Sequence, residues 1–182
     1  MPLTLDGNGD ISGLVAGALP ANVIGAGGIL QVVSTTKTDT FSSATTGSWL
    51  DITGLSVSIT PTSATSKIMI FGRITGQGQA STTRLQMRLA RDSTAISIAD
   101  ADGSRIQASG NELYNGADTD ALLGSTVFFL DSPATTSATT YKVQILNGNT
   151  AGTVYINRAQ SDANIGAVAR ATSSITVMEI AA

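Results

Sequence analysis

From about residue 29 onward, apolar and polar residues alternate in short runs, interrupted by Gly, Ser, Asn or Pro at spacings of about 8 to 15 residues. The alternation predicts strands near 29–35, 48–52, 55–60, 67–75, 83–91, 94–99, 124–130, 139–146, 153–158 and 173–180. Along 55–60, Leu55, Val57 and Ile59 point one way and Ser56, Ser58 and Thr60 the other, so one face of that strand is wet. Leu85, Met87 and Leu89 alternate in the same manner with Arg84, Gln86 and Arg88. Arg91-Asp92-Ser93-Thr94 then supplies turn chemistry into Ala95, which predicts a hairpin.

Three runs depart from this rule. Ile68-Met69-Ile70-Phe71, Val127-Phe128-Phe129-Leu130 and Ile175 to Ile180 are apolar on both faces. In a sandwich of two sheets each strand turns one side to the core, so an apolar outer side needs another cover. Either a second copy of the chain or loops of the same chain would provide it, and the copy is the simpler of the two. Burying roughly 500 Å2 of apolar surface per subunit contributes on the order of 10 kcal/mol before the cost of association. Met69, Phe71, Phe128, Phe129 and Met178 are the candidate interface residues.

Residues 1–28 carry a different pattern. No charge occurs from Ile11 to Val33, which raises a membrane span, but Gly13, Gly17, Gly25, Gly27, Gly28, Pro20 and Asn22 break a helix and expose backbone that lipid cannot satisfy. A secretory leader needs a cationic start, whereas Met1 to Ile11 offers only Asp6 and Asp10. We expect an extended arm over 1–28, folded in a cytosol and seated on a partner surface, followed by one β-sandwich domain over 29–182.

Composition narrows the chemistry. The chain has 182 residues, of which 42% are hydrophobic and only 13% charged, with a net charge of −3. Ser and Thr make up about a quarter of it, and Glu occurs only at Glu112 and Glu179, a balance that favours strands over helices. Nucleic acid and anionic membranes are held by clustered Lys and Arg, so neither is an expected partner. With no His and no Cys, imidazole, thiolate, disulfide and zinc-site chemistry are excluded.

Few motifs survive inspection. Asp6-Gly7-Asn8-Gly9-Asp10 opens like a calcium loop but has Ile11 and Gly17 where that loop needs Gly and Glu, so a tight turn is expected. Asp100-Ala101-Asp102-Gly103 is read as another turn, with weak metal binding the alternative. Gly25-Ala26-Gly27-Gly28 leads into a β pattern without a following Gly-Lys-Ser/Thr, which makes it a hinge and not a phosphate loop. Paired carboxylates suffice for glycoside hydrolysis, yet Asp39, Asp92, Asp102, Asp118 and Asp131 stand in turn-like contexts. No metal or cofactor is expected, and a small polysaccharide depolymerase using Asp pairs stays as a minor alternative. Trp49 opens a strand and is expected at the core edge. Tyr114 and Asn115 lie in the longest polar stretch, 100–123, and are the candidate exposed contacts, the equal alternative being a loop tyrosine folded onto the sandwich.

The segments Ile29 to Phe41, Asp51 to Pro61, Leu89 to Ile96, Tyr141 to Ile145, Val154 to Arg158 and Ser174 to Ile180 together resemble the tail-fibre and virion-appendage proteins of tailed bacteriophages. Leu3-Thr4-Leu5-Asp6-Gly7 with Gly9-Asp10-Ile11-Ser12-Gly13 is similar to the short N-terminal segment by which such fibres attach. The resemblance implies an all-β, jelly-roll-like antiparallel β-sandwich with an extended N-terminal arm. It further implies a homotrimer displayed on the virion surface, assembled in the host cytoplasm, without enzymatic activity. Leu3, Leu5, Ile11, Leu14 and Val15 are the attachment candidates, toward a phage tail or capsid protein. Loops 76–82, 110–122, 147–152 and 159–170 are expected to face a host-surface glycan or protein. The rival reading is a capsid decoration protein whose arm and apolar faces clamp shell subunits. No long shaft follows the arm, unlike a full fibre.

Overall fold

The computed structural model describes residues 4–5, 11–12, 26–79, 81, 83–148 and 151–182, and every regular element among them is a strand. Two short strands, Thr4–Leu5 (β1) and Ile11–Ser12 (β2), pair antiparallel with Leu5 opposite Ile11. The body follows as Ile29–Lys37 (β3), Phe41–Ser43 (β4), Trp49–Ile59 (β5), Lys67–Gly78 (β6), Leu85–Arg91 (β7), Thr94–Ile96 (β8), Leu123–Asp131 (β9), Thr139–Asn147 (β10), Val154–Ile156 (β11) and Ser173–Ile180 (β12).

One sheet has the order β5-β10-β7-β8. In the other, β9 takes one edge of β6, while β12 and β11 share the opposite edge along Lys67–Arg73 and Gly76–Gly78, with β3 outside β12 and β4 outside β11. Setting aside the β4–β11 addition, the order β3-β12-β6-β9 facing β5-β10-β7-β8 is that of a jelly roll, in which most connections cross from one sheet to the other. The alternation read from the sequence builds its interior. Leu55, Val57 and Ile59 of β5 and Leu85, Met87 and Leu89 of β7 are buried against Ile68, Ile70, Ile74, Ile175 and Val177 of the facing sheet.

The elements differ from expectation at identifiable places. The segments 48–52 and 55–60 form a single strand, because the break at Thr53-Gly54 is a bulge and not a turn. Opposite it the register jumps from Lys142↔Ser56 to Gln144↔Asp51, and Gly54 takes φ +80°, which costs a glycine little. The loop expected over 76–82 starts inside β6. Gly76 pairs with Ile156, and a Cβ there would lie 2.1 Å from the Tyr155 carbonyl oxygen, so the chain continues as strand where the backbones approach closely. The 91–94 turn forms the β7–β8 hairpin with Arg91 opposite Thr94 and Asp92 at φ 51°.

One end of the core is closed by polar groups that the alternation does not announce. Gln31, Glu179, Ile68 and Asp131 form a row across β3, β12, β6 and β9, and both carboxylates turn inward. Asp131 accepts two hydrogen bonds from the Arg91 guanidinium, at 2.9 and 2.8 Å, and one from the Tyr141 hydroxyl at 2.7 Å, tying β9 to β7 and β10 of the facing sheet. Burial pushes the Tyr141 phenol pKa well up, and the neighbouring carboxylate adds to it. Glu179 accepts from Gln31 Nε2 at 2.6 Å and from the Thr62 backbone N–H and hydroxyl at 2.7 Å each, which anchors the β5–β6 connection.

Candidate functional site

The strand pairing settles which side each predicted interface residue takes. Met69, Phe71, Phe128 and Met178 share the outer face of β12, β6 and β9: Met69 stands between Met178 and Leu130, and Phe71 stands beside Phe128. The two phenylalanine rings meet edge to face with centroids 5.3 Å apart. Val32 of β3, opposite Met178, extends the row. Phe128 is 64% exposed, Val32 53% and Leu130 47%. Phe129 is not brought together with the other four. It pairs with Ile70 and packs on the core side. Val32 and Leu130 add to the five expected interface residues; Leu130 follows from its i+2 relation to Phe128, but Val32 needs the β3–β12 register.

The predicted receptor pair is also divided. Tyr114 is 41% exposed, with the Arg84 guanidinium 4.6 Å from its ring centroid. Asn115 turns inward, and its Nδ2 donates to Gln77 Oε1 and to the Asp118 carbonyl. Gln77 is fully buried and donates in turn to the Thr119 carbonyl at 3.1 Å, so Asn115 pins the 114–119 loop to β6. Replacing Asn115 with Ala leaves a buried amide oxygen without that donor. We expect a loss of about 1–2 kcal/mol, with faster amide exchange confined to 115–119, measured by hydrogen–deuterium exchange.

Trp49 does not sit at the core edge. Leu50 packs toward the core, so Trp49 points outward, and the Arg88 guanidinium lies 4.4 Å from its ring centroid. Of the attachment candidates, Leu3, Leu14 and Val15 lie outside the described residues, as does the expected turn at 6–10, and Leu5 and Ile11 are placed only as paired backbone.

Two carboxylates, Glu179 and Asp131, are buried. Glu179 and Asp131 are separated by the Ile68 strand, roughly 10 Å apart at a strand spacing of about 4.8 Å, and each is saturated by its own donors. Burial pulls the Glu179 carboxyl up, but the hydrogen bonds from Gln31, Thr62 and Ser66 outweigh it and hold the group below its ordinary value of 4.5. Asp162, bonded to Arg170 at 2.7 and 3.0 Å, borders a shallow pocket with Asn164, Ile165 and Val168 in the 159–170 loop. Among the described residues no group of three or more acidic side chains is placed to hold a metal ion, and no helix is long and apolar enough to cross a membrane.

The strand order thus defines the class of the chain as a jelly-roll β-sandwich. Neither a protein-family model nor a curated protein sequence matches it. Among solved structures it is similar to that of the infectious bursal disease virus Gx strain, at 17% identity and a TM-score of 0.43, covering 83% of this chain and 37% of that one. It is likewise similar to T=1 particles derived from infectious bursal virus, at 15% identity and a TM-score of 0.42, covering 83% of this chain and 36% of that one. The chain therefore spans little more than a third of the length of the structures it matches.

Proposed function

We propose that this chain is a non-enzymatic virion structural protein of a tailed phage, a short tail fibre or receptor-binding appendage at the virion surface. Residues 1–28 mount it on a tail or capsid protein, and the jelly roll associates as a homotrimer through the outer face of β3-β12-β6-β9. The observation that carries this reading is the exposed row Val32, Met178, Met69 and Leu130 with Phe71 and Phe128 beside it. An apolar sheet face open to water is unusual in a monomer and marks a contact surface. Copies that meet through this patch around a three-fold axis close the assembly instead of letting it grow.

Phe128→Lys tests the assembly. The ring is mostly exposed within one copy, so the variant keeps its fold, but each interface loses roughly 2–3 kcal/mol of burial and gains a charge to desolvate. Sedimentation velocity should show a folded monomer where the parent sediments as a trimer. Phe129→Lys, on the core side, should instead lower the unfolding midpoint. An F128K protein that keeps the parent's mass would overturn the interface. Copy number on the particle separates the appendage from capsid decoration: tens of chains support a fibre, hundreds a decoration protein.

A further inference from the structure

The outer face of β5, β10 and β7 carries a surface of a different kind. Trp49, Leu146 and Gln86 stand side by side in one row, and the Leu85–Leu113 bridge continues the sheet so that Glu112 lies beside Gln86 and Tyr114 beside Arg84. On the adjoining row stand Asp51, Gln144 and Arg88. Leu146 is buried although it lies on this outer side, which gives the row an apolar floor.

The polar groups are fixed to one another. Asp51 accepts from Lys142 Nζ at 2.7 Å and Gln144 Nε2 at 2.6 Å, while Gln144 Oε1 accepts from Arg88 Nε at 2.8 Å. Arg88 then lies over Trp49. On the far side Glu112 accepts from Gln86 Nε2 at 2.7 Å and from Arg84, which lies over Tyr114. Trp49 and Tyr114 thereby stand roughly 16 Å apart, three strand spacings across and one side-chain pair along, with planar amide, carboxylate and guanidinium groups between them.

That combination selects its ligand. It is too polar for the buried centre of a protein interface, where charges are depleted. Its three cations, Arg84, Arg88 and Lys142, are offset by Asp51 and Glu112, so it lacks the excess of positive charge that polyanion binding needs. A sugar chain has both matching parts: ring faces of C–H groups that lie on aromatic rings, and vicinal hydroxyls that exchange paired hydrogen bonds with planar polar groups. We propose that the outer face of the β5-β10-β7 sheet binds an extended saccharide chain laid from Trp49 to Tyr114. This names the ligand class for the receptor-binding reading and rests on it, since copies packed through the opposite sheet turn this face outward and multiply weak contacts.

Trp49 is the only tryptophan of the chain, so its emission reports on this surface directly. The full-length protein is applied to an array of bacterial polysaccharides and oligosaccharides spanning neutral, amino and uronic-acid sugars. Each binder is then titrated against Trp49 fluorescence. We expect at least one saccharide to shift the emission saturably. Tyr114→Ala should weaken its Kd tenfold or more, and Trp49→Ala should lose retention in affinity electrophoresis, both with unchanged circular dichroism and sedimentation. Asp51→Asn, which keeps the shape of the lattice, should weaken binding without abolishing it. No binder on the array, or a binder held equally by the Trp49→Ala and Tyr114→Ala proteins, overturns the proposal. Either failure leaves the trimer and its apolar interface untouched, because those are read by mass alone.

Discussion

Replacing Glu179 with Ala should cost about 3–4 kcal/mol, among the largest single losses in this fold. The carboxylate is fully buried without a cation and is held by neutral donors from β3 and the β5–β6 connection. Its removal strands those donors, each worth roughly 1–3 kcal/mol when unsatisfied, less whatever a water entering the space restores. Glu179→Gln separates charge from shape, since the amide nitrogen would face donors and not acceptors. The pH dependence has a definite sign. The folded carboxyl titrates below its ordinary 4.5, so its contribution is fully present above that value and is lost as pH falls through the lower, folded value. The gap in unfolding free energy between parent and E179Q should therefore be widest near neutrality and shrink in acid. Urea melts at several pH values measure it, and a gap that is constant from pH 7 to pH 3 would show that ionised Glu179 contributes nothing.

Asp131→Ala should be comparably damaging, by about 3 kcal/mol, at the lower end for a broken buried pair because Arg91 keeps some contact with water. The change leaves the Tyr141 hydroxyl buried without its acceptor and frees the Arg91 guanidinium from both of its bonds. Since these groups tie β9 to the facing sheet, the melting temperature should drop by roughly 6–12 °C for a chain of this size. Tyr141→Phe, which removes a single hydroxyl, should cost about 1 kcal/mol. Thermal melts of both variants check this, and equal losses would show that the hydroxyl, not the ion pair, carries the tie.

Strands with one wet face were legible from their period of two, and Leu55-Val57-Ile59 and Leu85-Met87-Leu89 indeed point inward. What failed to read were places where that period is silent or masked. In Val127 to Leu130 both faces are apolar, so the phase that sends Phe128 out and Phe129 in is fixed only by pairing with Phe71 and Ile70. Trp49, expected at the core edge because it opens a strand, stands on the outer side under Arg88 by its register with Leu146. Gly76 and Gly78 looked like loop punctuation, but glycine there lets β11 and the chain near Thr83 approach. Glu179 occupies a core position that any pattern of apolar residues would fill with an aliphatic side chain. Its partners Gln31 and Thr62 are distant in sequence, and only the β3–β12 pairing brings the first of them alongside. Tyr114 and Asn115 are neighbours with opposite roles, because the bridge at Leu113 turns one outward and leaves the other to hold Gln77.

The most direct measurement is the mass of the full-length protein in solution, by light scattering or sedimentation equilibrium across the micromolar range. If the outer sheet face with Phe128, Leu130 and Val32 is the proposed trimer contact, the expected mass is three times the 18.5 kDa of the single chain. A stable, freely soluble species of 18.5 kDa at all concentrations would contradict it.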